Sequence, residues 1–421
     1  MFDYELFFTI LGTFCLFYPL FMSYIWLEGA LIYFFKYEYK KPGFKDIPKL
    51  PSYPLVSVVV PCFNEGLNVI DTINAVNNSL YPNFEIIAVN DGSLDNTLEL
   101  IYGLQKSISR LRVVNLSTNQ GKATGLNSAM LVARGEILVC IDGDSLIDKH
   151  AIHWLVQHFL NSPQCGAVTG NPRVRSRSTL IGQVQVGEFS AIIGMLKRAQ
   201  SIIYRNLFTV SGVISAFRKT AIEEVGGWYK DTQTEDIEIS WRLQLRGWDV
   251  EFEPRALCWV LMPEVLKSLI KQRIRWAVGG AETFKRHMPE IIRWKNRHLW
   301  AMSFEYFISV TWSYCMILLV GVWMLSIIVP YIELTYAFSL IPIGPGLILA
   351  MTCLFQFLVS MKIDSRYDYR LMQFYFATVW YPIIYWIMNC LIAAYAFPKA
   401  LFFTKKGNGK WTSPDRGRQY Q

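Results

Sequence analysis

Residues 136–144 read EILVCIDGD, an apolar run that ends in Asp142, Gly143 and Asp144. A short uninterrupted apolar run is typical of a strand that is buried on both faces of a parallel sheet. Two carboxylates one residue apart, on a turn after such a strand, are well placed to hold a divalent cation against a diphosphate. Isolated Asp-x-Asp triplets are also common in ordinary turns, so this interpretation depends on what surrounds the triplet.

Three further apolar runs precede this one and alternate with stretches of helical periodicity. The predicted strands are 55–60, 84–89, 111–116 and 136–141, and the predicted helices between them are 67–78, 96–108 and 122–133. Strands that alternate with helices predict an α/β domain with a Rossmann-like, mostly parallel sheet that is covered on both faces. We assign this domain to residues 55–262.

Polar side chains gather where the predicted strands end. Asn64 and Glu65 follow the first strand, Asp91 follows the second, and Asp142 and Asp144 follow the fourth. Ligands of such sheets bind outside the carboxyl ends of the strands. We therefore expect these residues to bind substrate, with Asp144 and Asp142 as ligands of Mg²⁺ or, alternatively, Mn²⁺.

Two substrate-binding candidates also have simpler explanations. Asp91 could accept a hydrogen bond from the N–H of a uracil base, but Asn-Asp-Gly-Ser is also a common turn sequence. Lys122 begins a predicted helix, where its ammonium suits a phosphate or an aspartate partner. A solvated lysine would fit that position equally well.

The composition points to a membrane. Hydrophobic residues make up 52% of the 421 residues and charged residues 18%, with a mean hydropathy of +0.24. This balance fits a soluble domain joined to membrane helices. The net charge of +8 comes from Lys and Arg beside apolar runs, so we expect a lipid bilayer and no nucleic acid as partner. Eight scattered cysteines without a C-x-x-C pair predict buried thiols and no zinc site.

Apolar segments lie at both ends of the chain. Residues 1–35 predict one membrane helix, since about 20 apolar residues cross a bilayer. The lysine-rich linker 36–54 then places the predicted α/β domain in the cytoplasm, because basic residues favour that side. Residues 263–299 predict amphipathic helices at the membrane interface, and residues 300–398 predict three further spans, at 306–329, 338–359 and 374–397.

The basic tail, residues 399–421, poses a conflict. One span before the catalytic domain and three after it would place the tail outside the cell, whereas its charges favour the inside. Either the last segment does not cross completely or the tail is an exception, and the sequence leaves its side open.

Two motifs lie between the predicted sheet and the last spans. Thr234-Glu235-Asp236 supplies two adjacent carboxylates, although an acidic helix N-terminus capped by Thr234 would have the same sequence. Gln272-Arg273-Ile274-Arg275-Trp276 follows in the amphipathic segment. The Arg275 guanidinium could donate two hydrogen bonds to diphosphate oxygens, and Trp276 could provide a flat face for a sugar ring. Anchoring of the helix in lipid is the alternative explanation for both residues.

In this order, these motifs resemble those of the family 2 processive glycosyltransferases over residues 55–280. The resemblance implies a GT-A fold and an inverting mechanism, with Asp236 as the general base and Glu235 as its orienting neighbour. It also implies substrate binding by Gln272, Arg273, Arg275 and Trp276. Ser211, Gly212 and Trp276 would hold the acceptor end of the product.

A narrower resemblance is to the poly-N-acetylglucosamine synthases of bacterial biofilm operons. It rests on four short stretches: Gly170-Asn171-Pro172-Arg173, Ile363-Asp364-Ser365-Arg366-Tyr367, Phe397-Pro398-Lys399-Ala400 and Ser413-Pro414-Asp415-Arg416-Gly417. It implies UDP-N-acetylglucosamine as donor, a β-1,6-linked polysaccharide as product, export through the enzyme's own helices, a bacterial plasma-membrane location and a small membrane accessory subunit.

Three alternatives share much of this sequence pattern. A hyaluronan- or chitin-type synthase would use the same residues with another donor or linkage. Transfer of one sugar to a lipid phosphate would not need the Q-x-x-R-W motif. A catalytically silent subunit would be expected to have lost one of the key side chains, yet Asp91, Asp144, Asp236 and Arg275 are all present.

Overall fold

The computed structural model of the protein describes residues 4–328 and 345–403. Its strands are β1 (Val56–Cys62), β2 (Phe84–Asp91), β3 (Leu111–Leu116), β4 (Ile137–Ile141), β5 (Leu146–Ile147), β6 (Cys165–Val174), β7 (Ile214–Arg218) and β8 (Asp249–Val260). Its α-helices are α1 (Tyr4–Tyr33), α2 (Val69–Asn77), α3 (Thr97–Gln105), α4 (Lys122–Val132), α5 (Ala151–Asn161), α6 (Leu180–Glu188), α7 (Leu196–Ile203), α8 (Lys219–Glu224), α9 (Glu235–Leu245), α10 (Leu266–Ile291), α11 (Trp300–Ile328), α12 (Pro345–Asp364) and α13 (Trp386–Pro398). Short π-helices cover Phe34–Glu38, Phe189–Met195, Tyr381–Tyr385 and Lys399–Phe403, and 3₁₀-helices cover Trp294–Leu299 and Leu371–Trp380.

The strands form one eight-stranded sheet in the order β3-β2-β1-β4-β7-β6-β8-β5. β1 pairs in parallel with β2 and β4, and β2 pairs in parallel with β3. β7 runs antiparallel to both β4 and β6, whereas β6 and β8 are parallel. The predicted Rossmann-like, mostly parallel sheet is confirmed, and so are its first four strands.

The sheet is buried on both faces, because strands β1, β2 and β4 are mainly apolar and every one of their residues is buried. In β1, Val58 and Val60 pack on one side with residues of α2 and α5, while Val59 packs on the other side with residues of α4 and α8. Continuous apolar strands of this kind need helices on both faces. The polar side chains that follow β1, β2 and β4 are therefore confined to one edge of the sheet.

Within residues 4–328 and 345–403, four helical segments are long and apolar enough to cross a membrane: Leu6–Glu38, Trp294–Leu325, Gly346–Asp364 and Leu371–Phe403. The first of them confirms the predicted N-terminal apolar helix. Part of the predicted span 338–359 and most of the basic tail lie outside the described residues.

The last apolar segment contacts the sheet domain at its first residue and α10 at its end. Leu371 packs in a cluster with Val174 and Val260 of the sheet domain. At the other end, Ala400 packs against Val278, and the Lys285 ammonium donates to the Leu401 carbonyl oxygen. The tail therefore begins beside α10.

A buried ion-pair network joins the sheet domain to the membrane helices. Arg173 of β6 donates to Asp364 at the end of α12 at 2.6 and 2.8 Å, and Arg198 of α7 lies 2.9 Å from the other oxygen of Asp364. Arg198 also forms a fork with Glu38, at the end of the first apolar helix, at 2.6 and 3.0 Å. Tyr367 donates to Glu38 at 2.6 Å. Two cations and two anions balance each other away from water.

Removing one member of this network leaves an uncompensated buried charge. We expect Asp364→Asn to lower the free energy of unfolding by about 3 kcal/mol, because broken buried ion pairs typically cost that much. The measurement is thermal unfolding in detergent, with the exposed α3 residue changed in Glu99→Gln as the control. Equal melting temperatures for the two variants would contradict a stabilising role for the network.

Candidate active site

A cavity of about 820 Å³ opens at the edge of the sheet where β4 ends. Eleven residues expected from the sequence to bind substrate, metal or acceptor line it: Lys122, Asp142, Asp144, Ser211, Gly212, Glu235, Asp236, Gln272, Arg273, Arg275 and Trp276. They come from the turn after β4, from α4, α9 and α10, and from the loop before β7. The fold thus brings together motifs that are far apart in the sequence.

Lys122 connects the two acidic motifs. Its ammonium lies 2.6 Å from Asp142 and 3.1 Å from Glu235, and it donates to the Gly212 carbonyl oxygen at 3.1 Å. Burial acts to lower the pKa of Lys122, but Asp142 and then Glu235 outweigh it and the pKa is raised. The ammonium therefore stays charged. Lys122 is not the solvated lysine that the sequence left as an alternative.

Glu235 and Asp236 differ in their surroundings although they are neighbours in sequence. Burial acts to raise the pKa of Glu235, but the adjacent Lys122 outweighs it and the pKa is lowered. Burial, followed by the charge of Glu235, raises the pKa of Asp236 to about 6. Adjacent carboxylates with separated pKa values can take different roles, and a carboxylate with a raised pKa suits proton acceptance.

The Asp236 carboxylate is held in place by backbone donors. Gly212 donates its N–H to Asp236 at 3.1 Å, and Ile237 donates at 2.9 Å. Thr234 stands at the N-cap position of α9, but its hydroxyl makes no capping hydrogen bond and is buried without a partner in the part of the chain that the structure describes. It lies against Gly279 of α10, where an added Cβ would come within 2.1 Å of the Thr234 hydroxyl oxygen. Thr234 therefore packs α9 against α10.

Asp91 orients the helix that carries Lys122. Its carboxylate is buried and accepts the backbone N–H groups of Gln120 at 2.8 Å and Gly121 at 2.9 Å. Gly121 has φ of +90°, a conformation that suits glycine. These bonds fix the start of α4 against the end of β2, and Lys122 is the next residue.

Asn64 and Glu65 lie behind the cavity wall. The Asn64 side chain accepts the N–H of Leu94 at 2.8 Å, and the Asn64 N–H donates to Ser93 at 3.1 Å. Glu65 is buried beside the metal motif, since a Cβ added at Gly143 would lie 3.0 Å from its Cγ. Both residues thus join the turns that follow β1, β2 and β4.

Asp142 and Asp144 are the two carboxylates that the sequence predicts as ligands of a metal ion. Asp144 is buried and Asp142 partly exposed, and both line the cavity. Among residues 4–328 and 345–403, no cluster of three or more His, Cys, Asp or Glu side chains is arranged to hold a metal. A few carboxylates completed by phosphate oxygens and water are the set that Mg²⁺ prefers, so this pair fits such an ion.

The Q-x-x-R-W residues of α10 have separate surroundings. The Arg275 guanidinium is exposed in the cavity and donates to the Gln233 carbonyl oxygen at 3.2 Å. The Gln272 side-chain oxygen is buried and has no hydrogen-bond partner among the described residues. The Arg275 guanidinium is therefore available to a ligand in the cavity, whereas the Gln272 oxygen is not exposed to it.

Arg273 and Trp276 form a second pair on the same helix. Arg273 lies 2.5 Å from the buried Glu188 of α6 and 4.5 Å from the centre of the Trp276 ring. This ion pair ties α10 to α6 and holds the Trp276 ring at the cavity wall. In the structure, Arg273 is thus engaged with protein groups.

Several cavity residues were not anticipated from the sequence. They are Glu188, Lys197, Lys230, Lys271, Glu305, Tyr306, Ser309 and Lys399. One signal was present, since Lys197 and Arg198 interrupt an otherwise apolar stretch. The others occur in segments that read as ordinary interfacial or membrane helices.

Comparisons with known proteins show which family the chain is similar to. Residues 53–279 match the family model described as glycosyltransferase like family 2. The chain is 40% identical to a poly-β-1,6-N-acetyl-D-glucosamine synthase of Staphylococcus epidermidis, over 96% of this chain and 98% of that protein. It is 38% identical to a synthase of the same name from Staphylococcus aureus, over 96% and 98% respectively.

A solved structure shares the fold. A mannosyltransferase from Pyrobaculum calidifontis, in complex with GDP-Man and Mn²⁺, superimposes with a TM-score of 0.61 at 20% identity, covering 94% of this chain and all of that one. Its likeness shows a fold of the GT-A class. The chain belongs to family 2 of the glycosyltransferases, as the sequence motifs indicated.

A substitution at Gly212 tests the importance of the spacing between Asp236 and Lys122. A Cβ added there would lie 3.0 Å from the Asp236 carboxylate and 3.2 Å from the Lys122 ammonium, so both groups must move. We expect Gly212→Ala to reduce glycosyl transfer at least about tenfold, because small displacements of reacting groups are costly. Folding should be retained, since both contacts are ends of side chains.

Gly103→Ala is the matched control, because nothing lies within 4 Å of a Cβ added at that α3 position. Transfer rates and melting temperatures are measured for both variants. Wild-type activity in Gly212→Ala would mean that the spacing around Asp236 and Lys122 is not critical.

Proposed function

We propose that this protein polymerises N-acetylglucosamine from UDP-N-acetylglucosamine into a β-1,6-linked polysaccharide and passes the product into its membrane helices. The identity of about 40% with poly-β-1,6-N-acetyl-D-glucosamine synthases, over nearly the whole of both chains, supports the donor and the linkage. The proposed role of the polysaccharide is that of a biofilm matrix.

One observation supports polymerisation in particular. The cavity that contains the acidic motifs also reaches Glu305, Tyr306 and Ser309 of the apolar helix α11. A growing chain could therefore move from the reaction centre towards the membrane without crossing open solvent. An enzyme that transfers a single sugar has no need of such an extension.

The donor diphosphate is assigned to the Asp142 side of the cavity. A divalent ion, Mg²⁺ or Mn²⁺, held by Asp142 and Asp144 would supply positive charge to the leaving diphosphate. Arg275 adds a guanidinium that borders the cavity and donates to a backbone carbonyl oxygen, that of Gln233. Lys122 keeps Asp142 and Glu235 from repelling the phosphates, and Asp91, with Asn64 and Glu65, supports the nucleotide edge.

Asp236 is proposed as the base. The C6 hydroxyl oxygen of the acceptor attacks the anomeric carbon, the bond from that carbon to the phosphate oxygen breaks, and UDP leaves with the electron pair. The hydroxyl proton passes to Asp236, whose raised pKa suits that step. Trp276, Ser211 and Gly212 border the space left for the acceptor sugar.

The setting is proposed as the bacterial plasma membrane, with the catalytic domain in the cytoplasm, where positive-inside bias puts the lysine-rich linker. Since both ends of the last apolar segment contact the sheet domain or α10, we favour a segment that enters the membrane without crossing it completely. That arrangement would leave the basic tail in the cytoplasm. A small membrane accessory subunit stays a prediction.

Polymer formation by the purified protein in proteoliposomes tests the proposal. We expect labelled UDP-N-acetylglucosamine to give polymer with Mg²⁺ or Mn²⁺ and none with a chelator. Periodate should destroy the product, because a 1,6-linked chain keeps free vicinal hydroxyls at C3 and C4. A periodate-resistant product would indicate a 1,3 or 1,4 linkage and a chitin-like enzyme.

Asp236→Asn tests the base. An amide cannot accept the proton, so polymer synthesis should fall at least about 100-fold while donor binding is nearly unchanged. In the wild type, the rate should fall as the pH drops through about 6, because protonated Asp236 is inactive.

Asp231→Asn is the matched control, since Asp231 lies close to the motif but pairs with Arg286 at 2.9 Å. Substantial synthesis by Asp236→Asn, or loss of its donor binding, would reject the assignment.

A further inference from the structure

Lys197 of α7 is a buried lysine in the wall of the cavity. Its side chain is 5% exposed, yet it borders the same space as Asp236 and Ser211. The mechanism above gives it no role. It comes from α7, which packs through Ala199 against Trp26 and Ala30 of the first apolar helix. Lys197 therefore reaches the cavity from the membrane side of the molecule.

Hydrogen bonds connect Lys197 to the proposed base. Its ammonium donates to the Thr169 hydroxyl at 2.9 Å, and the same hydroxyl oxygen accepts the Ser211 N–H at 2.8 Å. The next residue, Gly212, donates its N–H to Asp236. Lys122 contacts this loop at the Gly212 carbonyl oxygen, so the loop lies between the two lysines.

The Lys197 ammonium lacks a close counter-ion. Within the described chain, no carboxylate oxygen lies within 4.0 Å of it, whereas Lys122 has two. Burial lowers the pKa of Lys197 to about 7, and Asp236 opposes this shift only in part. Thr169 takes one of the three N–H groups of the ammonium. Buried charges are normally paired or fully hydrogen-bonded, so a ligand in the cavity is a natural source of further acceptor oxygens.

The position of Lys197 indicates which ligand would supply them. The diphosphate belongs beside Asp142, Asp144 and Lys122, on the far side of the Ser211–Gly212 loop. The Lys197 side lies towards α7 and the membrane, where the acceptor end of a polymer would be. Hydroxyl and acetamide carbonyl oxygens of a neutral sugar accept hydrogen bonds, but a protonated amino group would repel the ammonium.

We propose that Lys197 binds an acetamide or hydroxyl oxygen of the acceptor's terminal sugar and so selects N-acetylated chains over de-N-acetylated ones. This inference rests on the proposed polymerase function and adds an acceptor-binding residue to it. Lys197 would thus bind the acceptor, whereas Lys122 and Arg275 would interact with the donor.

Acceptor kinetics test the assignment. The full-length protein extends short β-1,6-linked N-acetylglucosamine oligosaccharides, or the same oligosaccharides after de-N-acetylation, with labelled UDP-N-acetylglucosamine. We expect Lys197→Gln to raise KM for the acetylated acceptor about tenfold or more, the effect of losing a charged hydrogen bond. KM for the donor should stay within about twofold, because the diphosphate site is intact. The preference of the wild type for acetylated acceptors should shrink.

Two control variants separate binding from folding. Lys197→Arg keeps the charge and should recover part of the acceptor affinity, and Lys106→Met removes an exposed charge outside the cavity and should change neither KM. An unchanged acceptor KM in Lys197→Gln would overturn the inference, and so would an equal rise in both KM values. Failure of the proposed function is recognised separately, because then the wild type itself would make no polymer.

Discussion

The ammonium of Lys122 is the interaction on which the active site depends. Asp142, Asp144, Glu235 and Asp236 line one cavity, and like charges this close oppose folding unless a cation separates them. Lys122 contacts one carboxylate from each acidic motif, at 2.6 and 3.1 Å, and thereby joins the end of β4 to the start of α9. Asp91 in turn fixes the helix start that carries Lys122. The ends of β2 and β4 and the start of α9 thus converge on one charge.

A second constraint comes from the membrane helices. Lys197 and Arg198 are adjacent on α7, and Arg198 is held by Glu38 and Asp364 from two apolar helices. Because neighbouring helix residues point in different directions, anchoring Arg198 turns Lys197 towards the cavity. The membrane part of the protein therefore helps to determine which groups line the cavity. Similarly, Glu188 of α6 holds Arg273, which contacts the Trp276 ring.

The sequence predicted the structure correctly where a residue pattern is compatible with only one arrangement of strands and helices. Continuous apolar strands predicted the first half of the sheet, and β3 was found at its predicted residues 111–116. The acidic residues at strand ends followed from the same argument. The antiparallel strand β7 and the pairing of β6 with β8 were not predicted, because they connect segments distant in sequence. The positions of Lys197 and Glu188 in the cavity were not predicted for a related reason. They depend on how α6 and α7 pack, and the sequence of these helices does not show that packing.

The continuity of the cavity explains why these two parts belong to one chain. Each sugar hydroxyl that enters hydrocarbon without a partner costs several kcal/mol, so a long polysaccharide cannot cross a bilayer unaided. If synthesis ended in open solvent, the polymer would have to be captured again before export. Here the space beside Asp236 also borders Glu305 and Ser309 on α11, whose polar atoms can replace water for the departing chain. Each addition at the base would then push the product towards the membrane, and the free energy of sugar transfer would also drive its movement.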